Sequence, residues 1–336
     1  MSLHDYAAML FESPRIDLFQ GSLEERIEPG MRVLEIGTGL GTYALFAARA
    51  GAEVTALERG EVIHHARTLA ERNGLAPRIR FLQGQAPDDL PEGPWDLVVF
   101  EDYPSTLLDR DTHRLLAALG REGGVTAAEL MPRAARLAMA PVVGNAWQVT
   151  GLLPQAGGTA WGLRWDELRE RLGNSIRKVH LPTEALAAPP VWSPRFELLP
   201  PPPVDALGLG SDWEAGADPV VGLALWFELE LDEGRTMSNA PGAPGEPWGQ
   251  CLLPLDPPLE APSDTQVRAR IWREPGPDGG PGWLAWSCRA GDQERRGHEF
   301  AGIPLSLEAL GLEGAHPGQP GEAVGPDDRR TEGAPE

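Results

Sequence analysis

Glu35, Gly37, Gly39, Gly41 and Glu58 are the residues of this chain whose types and spacing could do chemistry together. They stand in the run Val33-Leu34-Glu35-Ile36-Gly37-Thr38-Gly39-Leu40-Gly41 and in Ala56-Leu57-Glu58. The pattern reads as an apolar strand, a glycine turn, a helix from Tyr43 to Arg49, and a second strand ending in a carboxylate. Glycine tolerates a tight backbone and lets a ligand come close. A helix N-terminus offers unpaired N–H donors. Glu58 lies 21 residues after Gly37, where a ribose diol would be gripped. The arrangement implies a nucleoside-bearing cofactor. The bland reading is a glycine turn that binds nothing, and the flanking strand, helix and acid argue against it.

The dinucleotide fingerprint would put its third glycine at position 42, where this chain has Thr42. Its third glycine comes one place earlier, at Gly41. The form E-x-G-x-G-x-G resembles motif I of the class I S-adenosylmethionine (SAM) methyltransferases. That resemblance implies SAM as cofactor, with its amino-acid end over the glycine loop.

Such a loop needs a parallel sheet to carry it. Residues 31–131 alternate apolar runs with helical segments, which predicts strands covered by helices. Strands are expected at 32–36, 53–57, 79–83, 97–101 and 124–129. Helices are expected at 60–73 and 110–119, and residues 1–30 form a helix-rich lead. Composition changes after Pro132: ten of the eleven tryptophans follow, and prolines cluster at Pro200-Pro201-Pro202-Pro203. Short alternating runs at 136–141, 220–231, 266–272 and 283–289 predict a sandwich or barrel. Trp165, Leu168, Leu172 and Ile176 recur at helical spacing. From Glu313 the chain is mostly Gly, Pro and acid, a composition that cannot offset ordering entropy. The expected divisions are 1–131, 132–312 and a disordered acidic tail, 313–336.

The net charge of −21 disfavours binding nucleic acid through its backbone. It suits a basic substrate or partner, or solubility alone. No run of 18 apolar residues predicts a membrane span, and the N-terminus lacks a basic-then-apolar signal, so a cytoplasmic protein is expected. Two cysteines, Cys251 and Cys288, are too few for a zinc site or a disulfide framework and read as buried thiols. His64-His65 are neighbours on a helix, share no face, and make a poor metal pair, so no metal is expected.

The order of motifs resembles the protein arginine methyltransferase family over about residues 6–312. Met9-Leu10-x-x-x-x-Arg15 matches that family's segment before motif I. Phe46 to Ala52 follows its motif I pattern, and Asp96 to Glu101 matches the strand entering its double-glutamate loop. Leu130-Met131-Pro132 matches the junction to its barrel, and Leu225 to Leu229 resembles a barrel strand. The resemblance implies an α/β fold, a class I methyltransferase (Rossmann-like) domain followed by a β-barrel-like domain. It also implies that Arg15 meets the SAM carboxylate, that Glu58 binds the ribose, and that Glu101 is the first of two acceptor glutamates. Trp248 stands at the Trp of the family's Thr-His-Trp loop, as a wall of the acceptor groove. Trp161 to Trp165 and the segment to 178 resemble its dimerisation arm. A helix packed on its own barrel is the equal alternative, so a homodimer through 162–178 stays open.

Methyl transfer from a sulfonium is a direct displacement that needs an aligned lone pair and a dry site. Two carboxylates can grip a guanidinium and leave one nitrogen nucleophilic. Nine residues after Glu101, where the second glutamate is expected, stands Arg110. Asp109 or Asp111 is the candidate substitute. Pro104-Ser105 replaces the expected Gly-Tyr, and Pro247 replaces the loop histidine. The family's tyrosine-bearing helix that closes over SAM would lie before Met1. Tyr103 is placed either in the acceptor pocket or packed beneath the loop. Gln85 and Asp88 follow the third strand, where an adenine amine is held in this fold, and a plain turn is the equal reading. The expected function is SAM-dependent methyl transfer to a protein or peptide. The rivals are a non-arginine acceptor in a peptide natural product or small molecule, and a non-catalytic binding module.

Overall fold

Val33 and Leu34 in one run, and Val54, Ala56 and Leu57 in the next, are all buried, although successive strand residues point to opposite faces. Such runs must be covered on both sides, as parallel strands are. The computed structural model describes residues 2–11, 14–144, 159–160, 162–165, 173, 175–243, 248–276 and 281–299. Residues Met1–Gly302 form one compact unit, and a second unit, Ile303–Glu336, contains the expected tail and lies outside the described residues.

Helices α1 (Leu3–Phe11) and α2 (Pro14–Arg26) precede a parallel sheet built from β1 (Arg32–Ile36), β2 (Glu53–Glu58), β3 (Ile79–Gln83), β4 (Leu97–Phe100) and β5 (Leu130–Met131). The strand order is β3-β2-β1-β4-β5. Every pairing in it is parallel. Helices α3 (Thr42–Ala50), α4 (Ile63–Arg72) and α5 (Arg110–Arg121) complete the layer structure. Phe19 of α2 stacks on Tyr43 of α3 at 4.5 Å between centroids. The strand expected at 124–129 is corrected. Thr126 N and Oγ1 both donate to Glu129 Oε2, at 2.7 and 2.9 Å, and close a 3₁₀ turn over Ala127–Glu129. The fifth strand therefore begins one element later, at Leu130.

Beyond it lie β6 (Ala134–Val143), a small hairpin of β7 (Thr159–Ala160) and β8 (Leu163–Arg164), then β9 (Arg177–Val179), β10 (Val191–Trp192), β11 (Phe196–Glu197) and β12 (Leu209–Glu214). The chain continues as β13 (Val220–Asp232), β14 (Arg235–Ser238), β15 (Gln250–Leu259), β16 (Gln266–Pro275), β17 (Pro281–Ala290) and β18 (Gln293–His298). They form a seven-stranded antiparallel sheet along β10-β6-β13-β15-β9, and a four-stranded one, β12-β16-β17-β18. In β16 the buried Val267, Ala269 and Ile271 alternate with exposed Arg268 and Arg270, as a half-buried strand requires. Strand β13 is buried on both faces from Val220 to Phe227, because residues 179–192 cover the outer side of Ala224 and Trp226. The inner faces of both sheets share one hydrophobic core with the parallel sheet. Strand β15 is absent from the sequence reading. Pro254, Pro257 and Pro258 argue against a strand there, yet only Pro254 falls within its pairing with β13. Within the arm expected at 162–178, residues 166–172 and 174, Leu168 and Leu172 among them, lie outside the described residues.

Candidate active site

The site is assembled at the carboxyl ends of β1, β2 and β4. The strand order reverses between β1 and β4, and open α/β sheets bind ligands at such a crevice. The turn after β1 is sutured to β2 by Gly37 N and Thr38 N, which both donate to Leu57 O at 2.9 and 3.2 Å. Gly39 has φ +52°, and a Cβ there would lie 3.1 Å from the Tyr6 ring. Gly41 has φ +80°, and its Cβ would lie 3.2 Å from Ala66 Cβ. Left-handed backbone and close approach together explain these glycines. Gly37 is exposed at the mouth of the crevice, beside Asp102.

Glu35 is 3% exposed and lies beneath the turn. Its Oε2 accepts from Thr38 Oγ1 and, at 2.8 Å, from Ala44 N in the first turn of α3. Helix α3 begins at Gly41, which has no side chain to cap it, so Glu35 satisfies an N-terminal donor from below. Burial pushes its carboxyl up to about 8, against the hydrogen bonds that hold it down. Glu35 is expected from its motif to contact the cofactor, whereas its observed contacts are those of a loop support.

Glu58 is 7% exposed. Its Oε2 accepts from Gly39 N at 2.9 Å and its Oε1 from Gly60 N at 2.7 Å. A carboxylate has about four acceptor positions, so each oxygen keeps one for a diol. Tyr6, on α1, has its ring against Gly39. Burial raises its phenol above the usual range, with the charges of Glu58 and Asp102 adding to the effect. The family resemblance places a covering tyrosine before Met1, whereas Tyr6 is the tyrosine that lies on the glycine turn. Its signal is its place three residues ahead of Met9-Leu10, one helical turn away.

Arg15, on α2, is 5% exposed and pairs with Glu101 at the end of β4. Arg15 Nη2 also donates to Met9 O at 3.1 Å, and its Cζ lies 5.4 Å from the centroid of Trp248. Burial pushes the Glu101 carboxyl up to about 7, and Arg15 pulls it back. Tyr43 Oη lies 3.4 Å from Glu101 Oε2. Tyr43 is a further residue of this site that the sequence reading used only as a helix start. Trp248 is 9% exposed, packs edge-on to Phe227 at 5.5 Å, and accepts from Ser105 Oγ through its carbonyl at 3.3 Å.

Other expected residues fall elsewhere. Tyr103 is 3% exposed and packs beneath the loop against Phe100, so the buried alternative is the one observed. Burial and Glu101 raise its phenol far above the usual range. Asp109 is the N-cap of α5, its Oδ1 accepting from Thr112 N at 2.8 Å. Asp111 is exposed in the first turn of the same helix. Both occupy positions that favour acids for helix stability alone. Gln85 and Asp88 are exposed, and Asp89 rather than Asp88 closes their turn, its Oδ2 accepting from Gln85 N at 2.8 Å. Pro247 lies outside the described residues.

The crevice suits a nucleoside carrying a charged amino-acid end. It offers the exposed backbone at Gly37, a carboxylate with acceptor capacity at Glu58, and the Arg15 guanidinium. Known proteins agree. Residues 33–138 match the family model described as a methyltransferase domain. An arginine N(omega)-methyltransferase from Streptomyces achromogenes subsp. streptozoticus is 28% identical over 284 residues, covering 79% of this chain and 74% of the relative. A ribosomal protein L11 methyltransferase from Thermus thermophilus is 32% identical over 134 residues, and there the chain spans only half of the relative's length. Among solved structures, the Trypanosoma brucei PRMT1 enzyme–prozyme complex with AdoHcy superposes with a TM-score of 0.71 at 18% identity. That match covers 87% of this chain and 97% of the other. On the fold, the glycine loop and these matches, the chain is a class I SAM-dependent methyltransferase built like the protein arginine methyltransferases.

Proposed function

We propose that the chain transfers a methyl group from SAM to a guanidino nitrogen of arginine in a protein or peptide. The observation that carries this reading is the Glu101 carboxylate at the end of β4, held by Arg15, whose guanidinium lies over the Trp248 ring. SAM would supply an electrophilic methyl group. Gly37 and Gly39 would lie beneath its amino-acid end, Glu58 would hold its ribose, and Arg15 its carboxylate. Glu101 uses Oε1 for Arg15 and, among the described residues, receives on Oε2 the long contact from Tyr43. That second oxygen is the one left to accept an N–H from an incoming guanidinium. Charge on the bound nitrogen keeps the opposite nitrogen nucleophilic, and the buried wall of Trp248 and Phe227 excludes water. In this proposal residues 1–131 hold the cofactor and supply Glu101, and 132–312 complete the acceptor side.

The name of the Streptomyces relative, an arginine N(omega)-methyltransferase, supports arginine over the rival acceptors. The net charge of −21 suits a cationic substrate. The proposal includes pairing of two copies through the segment 162–178, where Leu163 is 57% exposed, and a cytoplasmic location. No described helix is long and apolar enough to cross a membrane. The deciding experiment incubates the protein with methyl-labelled SAM and either free L-arginine or a Gly-Arg-Gly repeat peptide, followed by mass spectrometry of the guanidino group. Label on a peptide arginine supports the reading. Label on free arginine alone would move the acceptor to a small molecule, and label on neither would remove arginine.

A further inference from the structure

We propose that Asn239 and Gln250 are positioning residues for methyl transfer. Their buried side-chain amides hold the backbone at Trp248-Gly249, so that the Trp248 ring covers the Arg15–Glu101 pair. The proposal rests on the reading of Glu101 and Trp248 as the acceptor side of the site.

Asn239 is 0% exposed and Gln250 is 3% exposed. Burying an amide is unfavourable unless its donors and acceptor are met. Asn239 Oδ1 accepts from Phe227 N at 2.8 Å, and Asn239 Nδ2 donates to Gly249 O. Gln250 Nε2 donates to Asn239 O at 2.6 Å, and Gln250 Oε1 accepts from Leu181 N at 2.7 Å. The orientation of both amides is fixed, because each oxygen faces a backbone N–H and each nitrogen a backbone carbonyl.

The two amides join three separate stretches: Phe227 in β13, Leu181 after β9, and Gly249-Gln250 at the start of β15. Strand β14 ends at Ser238 and β15 begins at Gln250, so Asn239, Trp248 and Gly249 lie outside the strand ladders. Side chains do there what a ladder does elsewhere. Gly249 is pressed in place as well. Its φ is +58°, and a Cβ would lie 2.5 Å from Val179 O.

Asn239 thus grips both neighbours of the Trp248 ring. It bonds the backbone of Phe227, on which the ring packs, and the backbone of Gly249, the next residue. From Trp248 the contacts run on to Arg15 and through it to Glu101. The antiparallel sheets reach the acceptor carboxylate by this route. A polar cluster that served stability alone would have no reason to move the substrate parameters of the enzyme selectively.

The test labels the full chain with 5-fluorotryptophan and follows the Trp248 ¹⁹F resonance, assigned by its loss in Trp248→Phe. Asn239→Asp keeps the shape and the acceptor but replaces the donor to Gly249 O, and Gln250→Met keeps the size but removes both hydrogen bonds. Each variant is also titrated with S-adenosylhomocysteine and assayed on the Gly-Arg-Gly peptide. The expected result is a shifted or broadened Trp248 resonance, S-adenosylhomocysteine affinity within twofold of the parent, and a tenfold or greater rise in peptide KM. An unmoved resonance in a folded variant overturns the proposal, as does an affinity loss that keeps step with the KM change. If only one variant folds, its resonance and affinity decide. If the parent itself leaves the peptide unmodified, the arginine reading fails separately, and the resonance and affinity still judge the positioning role.

Discussion

Arg15 and Glu101, 86 residues apart in sequence, form an ion pair between helix α2 and the end of strand β4. Both side chains are largely shielded, at 6% and 19% exposure. Removing one partner of a shielded pair leaves an uncompensated charge, which costs about 3–5 kcal/mol. Arg15→Met is therefore expected to lower the denaturant midpoint sharply, and the double variant Arg15→Met/Glu101→Gln to recover much of the loss. Activity should stay absent in both. Equilibrium unfolding in urea measures the cycle, and additive losses would show that the pair is not coupled.

The ionisation of Glu101 sets an expected pH dependence. Its carboxyl is pushed up to about 7, and it can hold a guanidinium only when ionised. Methyl transfer to the peptide should rise with pH through about 7 and level off above it. Glu101→Gln should abolish most turnover and flatten that profile. A parent profile with no change between pH 6 and 8 would disconnect Glu101 from the reaction.

Glu35 gives a separate effect on stability. Its carboxyl is raised in the folded protein from an ordinary 4.5 to about 8. Between those values the folded state binds more protons than the unfolded state, so this group weakens the fold as pH rises from about 4.5 through 8. Glu35→Gln can still accept from Thr38 and Ala44 through its amide oxygen. Thermal melts at pH 5 and pH 8.5 should differ less for Glu35→Gln than for the parent. An equal difference would place the pH dependence elsewhere.

Gly39 and Tyr6 are coupled by contact. Gly39→Ala would add a Cβ 3.1 Å from the Tyr6 ring at a residue with φ +52°. The left-handed backbone alone costs an ordinary residue roughly 1–2 kcal/mol. Displacement of Tyr6 adds to it. Gly39→Ala should destabilise the protein by about 2 kcal/mol in the parent and by less in a Tyr6→Ala background. Equal losses in the two backgrounds would mean that the ring yields freely.

Asp109 separates a helix cap from a catalytic acid. Losing an N-cap costs about 1 kcal/mol, while asparagine caps as well as aspartate. Asp109→Ala should therefore lower stability by about that amount. Asp109→Asn should retain both stability and turnover. A tenfold fall in kcat for Asp109→Asn, with stability intact, would restore it as the second carboxylate.

The sequence by itself determined what neighbours along the chain decide. The strand, glycine turn, helix and acid from Val33 to Glu58 were legible because they depend on periodicity and on backbone freedom over a few residues. So was the change to alternating strands after Pro132, although the fifth parallel strand slipped to Leu130 once Thr126 and Glu129 closed a local turn. The tertiary structure alone decided which groups face one another. Glu35 became a support for the loop because its strand end lies beneath α3. Tyr6 came to rest on Gly39 because α1 crosses the glycine turn. Strand β15, rich in proline, was secured by pairing with β13 and β9. The pairing of Arg15 with Glu101, and the amides that hold Trp248, join residues from 10 to 86 positions apart. A single sequence carries no local pattern for such contacts, since they arise only when the packed sheets bring distant segments within hydrogen-bond reach and burial makes each polar group find a partner.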